Sequence, residues 1–462
     1  MTATAAADHD VDPIDELRDL LEVGSDAQLR TFLDGIQHGS DLADLLEQLD
    51  DDDRVRVLQL LAPDDPALAA DALAEMEPDE HPEDSLAALD PAQIAAVVAE
   101  LSDDDAADMI GEMEPADRDR VLAALPQQDA GDIRDLMAYD EESAGGIMTA
   151  ELVTLRVNQT AAQAIDEVRR QAHEMDEFYG IVFVVDEREV LQGTVSLRAL
   201  VTADPSTAVR ELVQDPIAVV LPETDQEEVG RVVSKYNLTI IPVVDGGGRL
   251  LGGVTFDDVI DIIEAESTED LFKFVSVSAE EEVRGGWRDA VRLRLPWLFI
   301  NLLTAFAAAS VVYLFEDTVS KVSLLAVCMP VIAGMGGNAG TQALAVTVRR
   351  LALSSERSGT PWNVVGKELL VGATNGLATG LAASGAAFLL CLATDTNPLL
   401  AAVVLMAMLL NLTVGGFAGA FVPTVLERMG VDPAVASSIF VTTFTDMCGF
   451  FLLLGLASRL LL

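Results

Sequence analysis

Bases, aromatics and reactive side chains are all scarce in this 462-residue chain. Lys and Arg together number 28 against 77 acids, only four of them lysines (235, 273, 321 and 367), and aromatics make up 5%. Phosphate binding needs clustered Lys and Arg, so this balance argues against nucleic acid as a partner. Cysteine is limited to Cys328, Cys391 and Cys448, all in apolar stretches and none in CxxC spacing. Neither a disulfide framework nor a thiolate metal site is implied. The four histidines (9, 38, 81 and 173) are scattered through the first half, and no catalytic or metal role is expected of them. No basic start followed by an apolar core opens the chain, so no signal peptide is expected. There is also no G-x-x-x-x-G-K-[ST] loop for an ATPase.

What is present is divided sharply. Residues 1–289 hold 69 acids and 19 bases, whereas the remainder holds eight acids and nine bases and is strongly apolar. Two readings of the acid excess stand at this point. It is a solvated surface adapted to a salt-rich cytoplasm, as in halophiles, or some of its carboxylates bind divalent cations.

Residues 1–13 read as a disordered tail. From Ile14 to Met137 short amphipathic segments such as LADLLEQL, RVRVLQLL and IAAVVAEL alternate with Pro-Asp, Ser-Asp and Asp-Asp punctuation suited to helix N-caps. That spacing predicts an α-helical superhelix over 14–137. A glycine-containing connector, YDEESAGGIMT (139–149), follows. The period then changes: β-type runs IVFVVD (181–186) and TIIPVVD (239–245) alternate with helical runs, and the two halves mirror each other. This duplication resembles paired cystathionine-β-synthase (CBS) domains, α/β modules spanning 149–264, which implies regulation rather than catalysis. An acidic helix over 265–290 is expected to join them to a transmembrane domain over 291–462.

Five apolar runs follow, near 295–315, 322–346, 369–392, 399–426 and 434–456, each long enough for a bilayer core of about 30 Å. With the first run entering from the cytoplasm, inner ends carry Arg292, Arg294, Arg349, Arg350, Arg357, Lys367 and Arg428, and outer ends only Lys321 and Arg459. This bias places the N-terminal half in the cytoplasm of a multi-pass cell-membrane protein. Trp287, Trp297 and Trp362 fall near cytoplasmic span ends, where interfacial aromatics are expected.

Within the second run, PVIAGMGGNAGTQ (330–342) combines proline and four glycines with Asn338, Thr341 and Gln342. Such a composition predicts a broken helix exposing backbone and amide oxygens. In the fifth, VTTFTDMCGF (441–450) places Asp446 among apolar residues, with no Lys or Arg in the middle of any span. An intramembrane carboxylate is a functional-site hypothesis by default. With threonines 442, 443 and 445 and the Asn338 segment it offers oxygen ligands only, which suits Mg²⁺, Ca²⁺ or Mn²⁺ and disfavours zinc and copper. Chemistry alone does not choose Mg²⁺ over Mn²⁺ or Co²⁺.

The motifs YDEESAGGIMT, TDQEEV (224–229), DDVIDIIEAESTED (257–270), RLPWL (294–298), GGNAGTQ (336–342), VDPA (431–434) and TFTD (443–446) make the chain resemble the MgtE family of magnesium channels. The resemblance runs from about residue 40 to the end. It implies a homodimer in the lipid membrane, five spans per subunit, and a pore between subunits lined by Asp446 and the Asn338 motif, with Thr442 beside them. It further implies gating by cytosolic Mg²⁺ at Asp104, Asp108, Asp225, Glu227, Asp258, Asp261, Glu266, Glu269 and Asp270. Bound Mg²⁺ would bridge carboxylates that repel one another when it is absent. Asn237 replaces an acidic ligand of the family, which should weaken one sensor site. Ala199 stands where the first CBS repeat is expected to carry the Asp that holds a nucleotide ribose; ATP binding is therefore doubtful. The reading is a non-enzymatic Mg²⁺ channel importing its ion down the electrochemical gradient and closed by cytosolic Mg²⁺. Alternatives are a Mn²⁺ or Co²⁺ transporter, or a CBS-regulated anion transporter, which Asp446 argues against. An intramembrane hydrolase would need a paired nucleophile and base, and no His lies in any span.

Overall fold

The computed structural model describes residues 12–462 except 128, 173–179, 279–280, 282–285, 354–360 and 430–437, and side chains are not described for 352–353 and 361–362. The disordered tail, the VDPA motif, His173 and the Trp362 side chain fall wholly or almost wholly outside these residues. The chain divides into two compact units, Met1–Glu264 and Ala265–Leu462.

The first unit begins with ten short helices: α1 (Pro13–Val23), α2 (Asp26–Leu33), α3 (Gly39–Leu46), α4 (Asp51–Leu61), α5 (Pro66–Ala74), α6 (Pro82–Ala87), α7 (Pro91–Val98), α8 (Asp103–Glu112), α9 (Pro115–Ala124) and α10 (Asp129–Leu136). The punctuation works as caps. Asp50 accepts from the Asp53 amide at 3.0 Å, Asp65 from Leu68 at 3.1 Å, and Ser102 from Asp105 at 3.3 Å. Each satisfies an orphan N–H of the first turn, while acids there oppose the helix dipole. From α2 to α8 each helix packs on the one two places further on, which makes a superhelical stack with one continuous leucine-rich core.

The CBS pair follows. In its first repeat β1 (Thr154–Arg156) runs parallel to β2 (Ile181–Val185), which pairs antiparallel with β3 (Leu191–Ser196), with α11 (Ala161–Gln171) and α12 (Leu197–Thr202) alongside. In the second, β4 (Ile240–Val244) pairs antiparallel with β5 (Leu250–Thr255), preceded by α13 (Gln226–Tyr236). The duplication extends to the turns: Asp186 accepts from the amides of Arg188 and Val190, and Asp245 from those of Gly247 and Arg249. Helix α14 (Phe256–Val275) starts in the first unit and ends in the second.

Among the described residues the second unit holds five helices long and apolar enough to cross a membrane: α15 (Trp287–Leu314), α17 (Leu324–Leu353), α18 (Pro361–Thr394), α19 (Leu399–Arg428) and α20 (Ser438–Leu460), with a short α16 (Glu316–Lys321) after the first. Helix α19 is central and packs against α17, α18 and α20. The expected break at 330–342 does not occur. Helix α17 runs uninterrupted through Pro330 and its four glycines. The glycines permit close approach instead: a Cβ on Gly340 would lie 2.6 Å from a Val441 methyl, and one on Gly415 would lie 2.9 Å from the Gly336 carbonyl. Neighbouring helices supply the packing that offsets the poor helix propensity of Gly and Pro in a membrane.

Candidate ion pathway and cation sensor

The buried side of α17 carries Ile332, Gly336, Gly340, Ala343 and Leu344. Its exposed stripe is Val331, Gly334, Asn338, Gln342 and Ala345, at the three-and-four spacing of one helix face. Two amides of α17 therefore look outward on one face, beside apolar and small residues. Helix α20 lies beside this segment, since a Cβ on Gly337 would meet the Thr442 methyl at 3.3 Å. Asp446, one turn beyond Thr442, is half-buried, and no hydrogen bond or ion pair reaches it among the described residues. The threonines divide. Thr442 donates to the carbonyls of Ser438 (2.8 Å) and Ile439 (3.1 Å), which leaves its oxygen lone pairs as ligands. Thr445 is fully buried and donates to Thr442 at 2.8 Å, so it faces the bundle and not an ion path.

In the first unit, the acids of α8 gather with those at the start of α14. Asp104 is 7% exposed and its Oδ1 meets no donor. Burial raises its pKa despite hydrogen bonds that lower it. Asp105 is pushed up to about 6 by burial, then by Asp104, Asp257 and Glu75. Asp258 rises to about 8 through burial and the charges of Asp104, Asp257 and Asp105, although Thr255 donates to it. Asp108 rises to about 7 through burial, then Asp104, Asp105, Glu141 and Glu112. It keeps a side open to water, which screens part of that repulsion. Asp261 is raised by burial and then by Glu75, Glu264, Asp257 and Asp105. Asp104 and Asp105 thus link these carboxyls: both act on Asp108 and on Asp258, and Asp105 acts on Asp261.

Among the described residues no three His, Cys, Asp or Glu side chains are arranged to enclose a metal. The donor set nonetheless fits a hard cation: oxygen only, mutually repelling, with one buried carboxylate oxygen lacking a partner. Asp225 and Glu227 are exposed at the start of α13, where the Gln226 amide donates to the Glu142 carbonyl at 2.9 Å. Asp225 caps that helix through the Glu227 amide at 2.9 Å. Neither contributes to the shifts of Asp104, Asp105, Asp108, Asp258 or Asp261. Glu266, Glu269 and Asp270 occupy the later turns of α14, where Glu269 pairs with Lys273 at 2.6 Å. Asn237 ends α13 at φ 51°, a left-handed position that suits Asn. Motif reading missed Asp105, Asp257 and Glu75. The signal available for the first two was the acidic triplet at 103–105 and the pair at 257–258.

Family models match in the order of these domains: MgtE intracellular N domain over 37–142, CBS domain over 144–206 and 209–265, and the MgtE divalent cation transporter over 329–456. The magnesium transporter MgtE of Thermus thermophilus is 36% identical over 450 residues, covering 96% of this chain and 98% of that protein. Its counterpart in Enterococcus faecalis is 37% identical over 328 residues, 71% of each chain. That of Bacillus subtilis is 30% identical over 439 residues, 95% of each. Among solved structures, the cytosolic domain of the Mg²⁺ channel MgtE in complex with ATP matches 54% of this chain and 99% of its own. That match has 37% identity and a TM-score of 0.50.

This last likeness overturns the expectation, drawn from Ala199, that ATP binding is doubtful. One hydrogen bond to a charged group contributes about 1.5–3 kcal/mol, against about 4–8 kcal/mol for a ligand bound at millimolar to micromolar affinity. Losing one acid would therefore weaken such a nucleotide site without removing it. Ser196 still caps α12 through the Ala199 amide at 3.2 Å, so the turn keeps its shape. With three domain types matched in order and relatives aligned along nearly the whole chain, this protein belongs to the MgtE family, a multi-pass Mg²⁺ transporter whose cytosolic regulatory domains include a CBS pair.

Proposed function

We propose that the transporter works as a homodimeric channel, selective for Mg²⁺, with the pore at the subunit interface. The carrying observation is the outward stripe of Asn338 and Gln342 on α17, flanked by Thr442 and Asp446 of α20. Polar groups on the outside of a spanning helix need protein or water against them. A second copy meeting this face would supply both, and two Asp446 carboxylates with amide oxygens would attract a hydrated divalent ion. The membrane potential contributes about 2.3 kcal/mol per charge per 100 mV, roughly twice that for a divalent ion, and favours inward flow.

Closure by cytosolic Mg²⁺ is assigned to Asp104, Asp108, Asp258 and Asp261, joined by Asp105, Asp257 and Glu75. Asp225 and Glu227, and Glu266, Glu269 and Asp270, form further acidic groups on α13 and α14. The regulatory part comprises the helical domain (14–137), a connector (138–148), the CBS pair (149–264) and the connecting segment (265–290), ahead of the membrane domain (291–462). Bound Mg²⁺ supplies the counter-charge these carboxylates lack. Without it they repel, and α8 and the start of α14 separate. ATP is a ligand of the CBS pair in this reading.

Mg²⁺ uptake into liposomes by Asp446→Ala and Asp446→Asn tests the pore. Loss of about tenfold or more is expected for Ala, with a smaller loss for Asn, which keeps an oxygen. Uptake by the Ala variant equal to wild type would sink the assignment.

A further inference from the structure

The middle of α19 carries an amide that the pathway described above leaves unused. Asn411 is fully buried, and its Nδ2 donates to the carbonyl of Ile332 on α17 at 3.0 Å. That carbonyl is also the regular α-helical acceptor for Gly336, so it receives two donors. Asn411 Oδ1 is buried and meets no donor. The amide occupies a slot between glycines of two other helices. A Cβ on Gly336 would overlap Nδ2, and a Cβ on Gly449 would lie 2.7 Å from it and 3.2 Å from Oδ1. Gly336 stands two residues before Asn338, and Gly449 one helical turn after Asp446.

A buried amide oxygen without a partner costs about 1–3 kcal/mol, and a leucine or methionine would fill a plain packing gap without that cost. A packing residue also does not need two glycines on two other helices arranged around it. What the arrangement achieves is a fixed spacing and rotation of α17 against α20. The hydrogen bond sets the height of α17 along α19, and the slot sets how closely α20 approaches. We propose that Asn411 is a positioning residue for ion passage, holding the helices that present Asn338 and Asp446 in the register at which both face the same ion. The inference rests on the pore reading above and adds to it a residue that touches no ion.

Full-length protein in liposomes tests it, with flux normalised to correctly folded protein and Mg²⁺ and Mn²⁺ measured separately. Asn411→Ala is expected to lower Mg²⁺ flux per folded channel by about tenfold and to narrow the preference for Mg²⁺ over Mn²⁺, because displaced ligands discriminate less well. Mg²⁺-dependent protease protection of the cytosolic unit should not change. Gly449→Ala, which forces a methyl into the slot while Asn411 remains, should act in the same direction and carries the test should Asn411→Ala fail to fold. Flux within about twofold of wild type with unaltered ion preference, in whichever variant folds, overturns the proposal and leaves Asn411 a packing residue. Asp446→Ala measured in parallel separates the two readings. Normal flux in that variant removes the pore assignment itself, whereas loss there with normal flux in the slot variants removes only the role of Asn411.

Discussion

Asp258, Asp105 and Asp108 hold their protons to about pH 8, 6 and 7 in the packed arrangement, well above ordinary carboxylates. Groups whose pKa is raised by packing favour it fully below the carboxylate range of about 4 and cease to do so as pH rises through their shifted values. In Mg²⁺-free buffer, proteolysis of the cytosolic unit should therefore accelerate between pH 5.5 and pH 8.5, with saturating Mg²⁺ flattening the profile. Asp258→Asn, with one charge fewer, should shift the midpoint upward and weaken Mg²⁺ dependence; an unchanged profile would count against repulsion as the opening force. At Ala199 the opposite change is informative. Ala199→Asp should tighten ATP binding by about tenfold or more, the value of one charged hydrogen bond, as read by calorimetry. Asp446 and Asn338 stand out in sequence because charge or amide in apolar company is conspicuous, whereas the α8 acids were pointed to by the family resemblance. Asn411 does not stand out: one Asn in MLLNLTVGG has no visible partner until Gly336 and Gly449 are brought to it.

Helix α17 shows how an element can be misread from composition. Proline and four glycines argue for a break, yet the segment stays helical because the α19 backbone and the side chains of α20 pack against it. Glycine stripes in a membrane are as much contact surfaces as weak points. A Cβ on Gly419 would overlap the Gly340 carbonyl, whereas one on Gly385 meets nothing within 4 Å. Gly419→Ala should therefore destabilise the detergent-solubilised protein by about 1–3 kcal/mol, and Gly385→Ala by no more than about 0.5 kcal/mol. Thermal melting of the two variants side by side checks this. Equal melting temperatures would mean that the α17–α19 contact yields freely. The connector glycines at 145 and 146 follow the same logic, since side chains there would strike the Tyr139 ring and the Asp140 backbone.

Across the whole molecule the charge asymmetry has two candidate explanations, and they separate experimentally. Mg²⁺ at about 5–20 mM, where weak carboxylate sites fill, should protect the cytosolic unit from protease more than KCl of equal ionic strength does. Equal protection would reduce the acids to a salt-adapted surface. Chain order, the helical stack, the mirrored α/β halves, five apolar runs and a cytoplasmic acidic half all followed from periodicity, composition and loop charge. These are local properties, because hydrophobic period and loop charge are written within a dozen residues of where they act.

Tertiary structure alone decided which acids face one another, which side of α17 looks outward, and that a proline–glycine run remains a helix. Such features depend on segments tens to hundreds of residues apart: α8 with the start of α14, and Ile332 with Asn411 and Gly449. Burial and mutual repulsion, which shift the carboxyls, exist only once those segments meet.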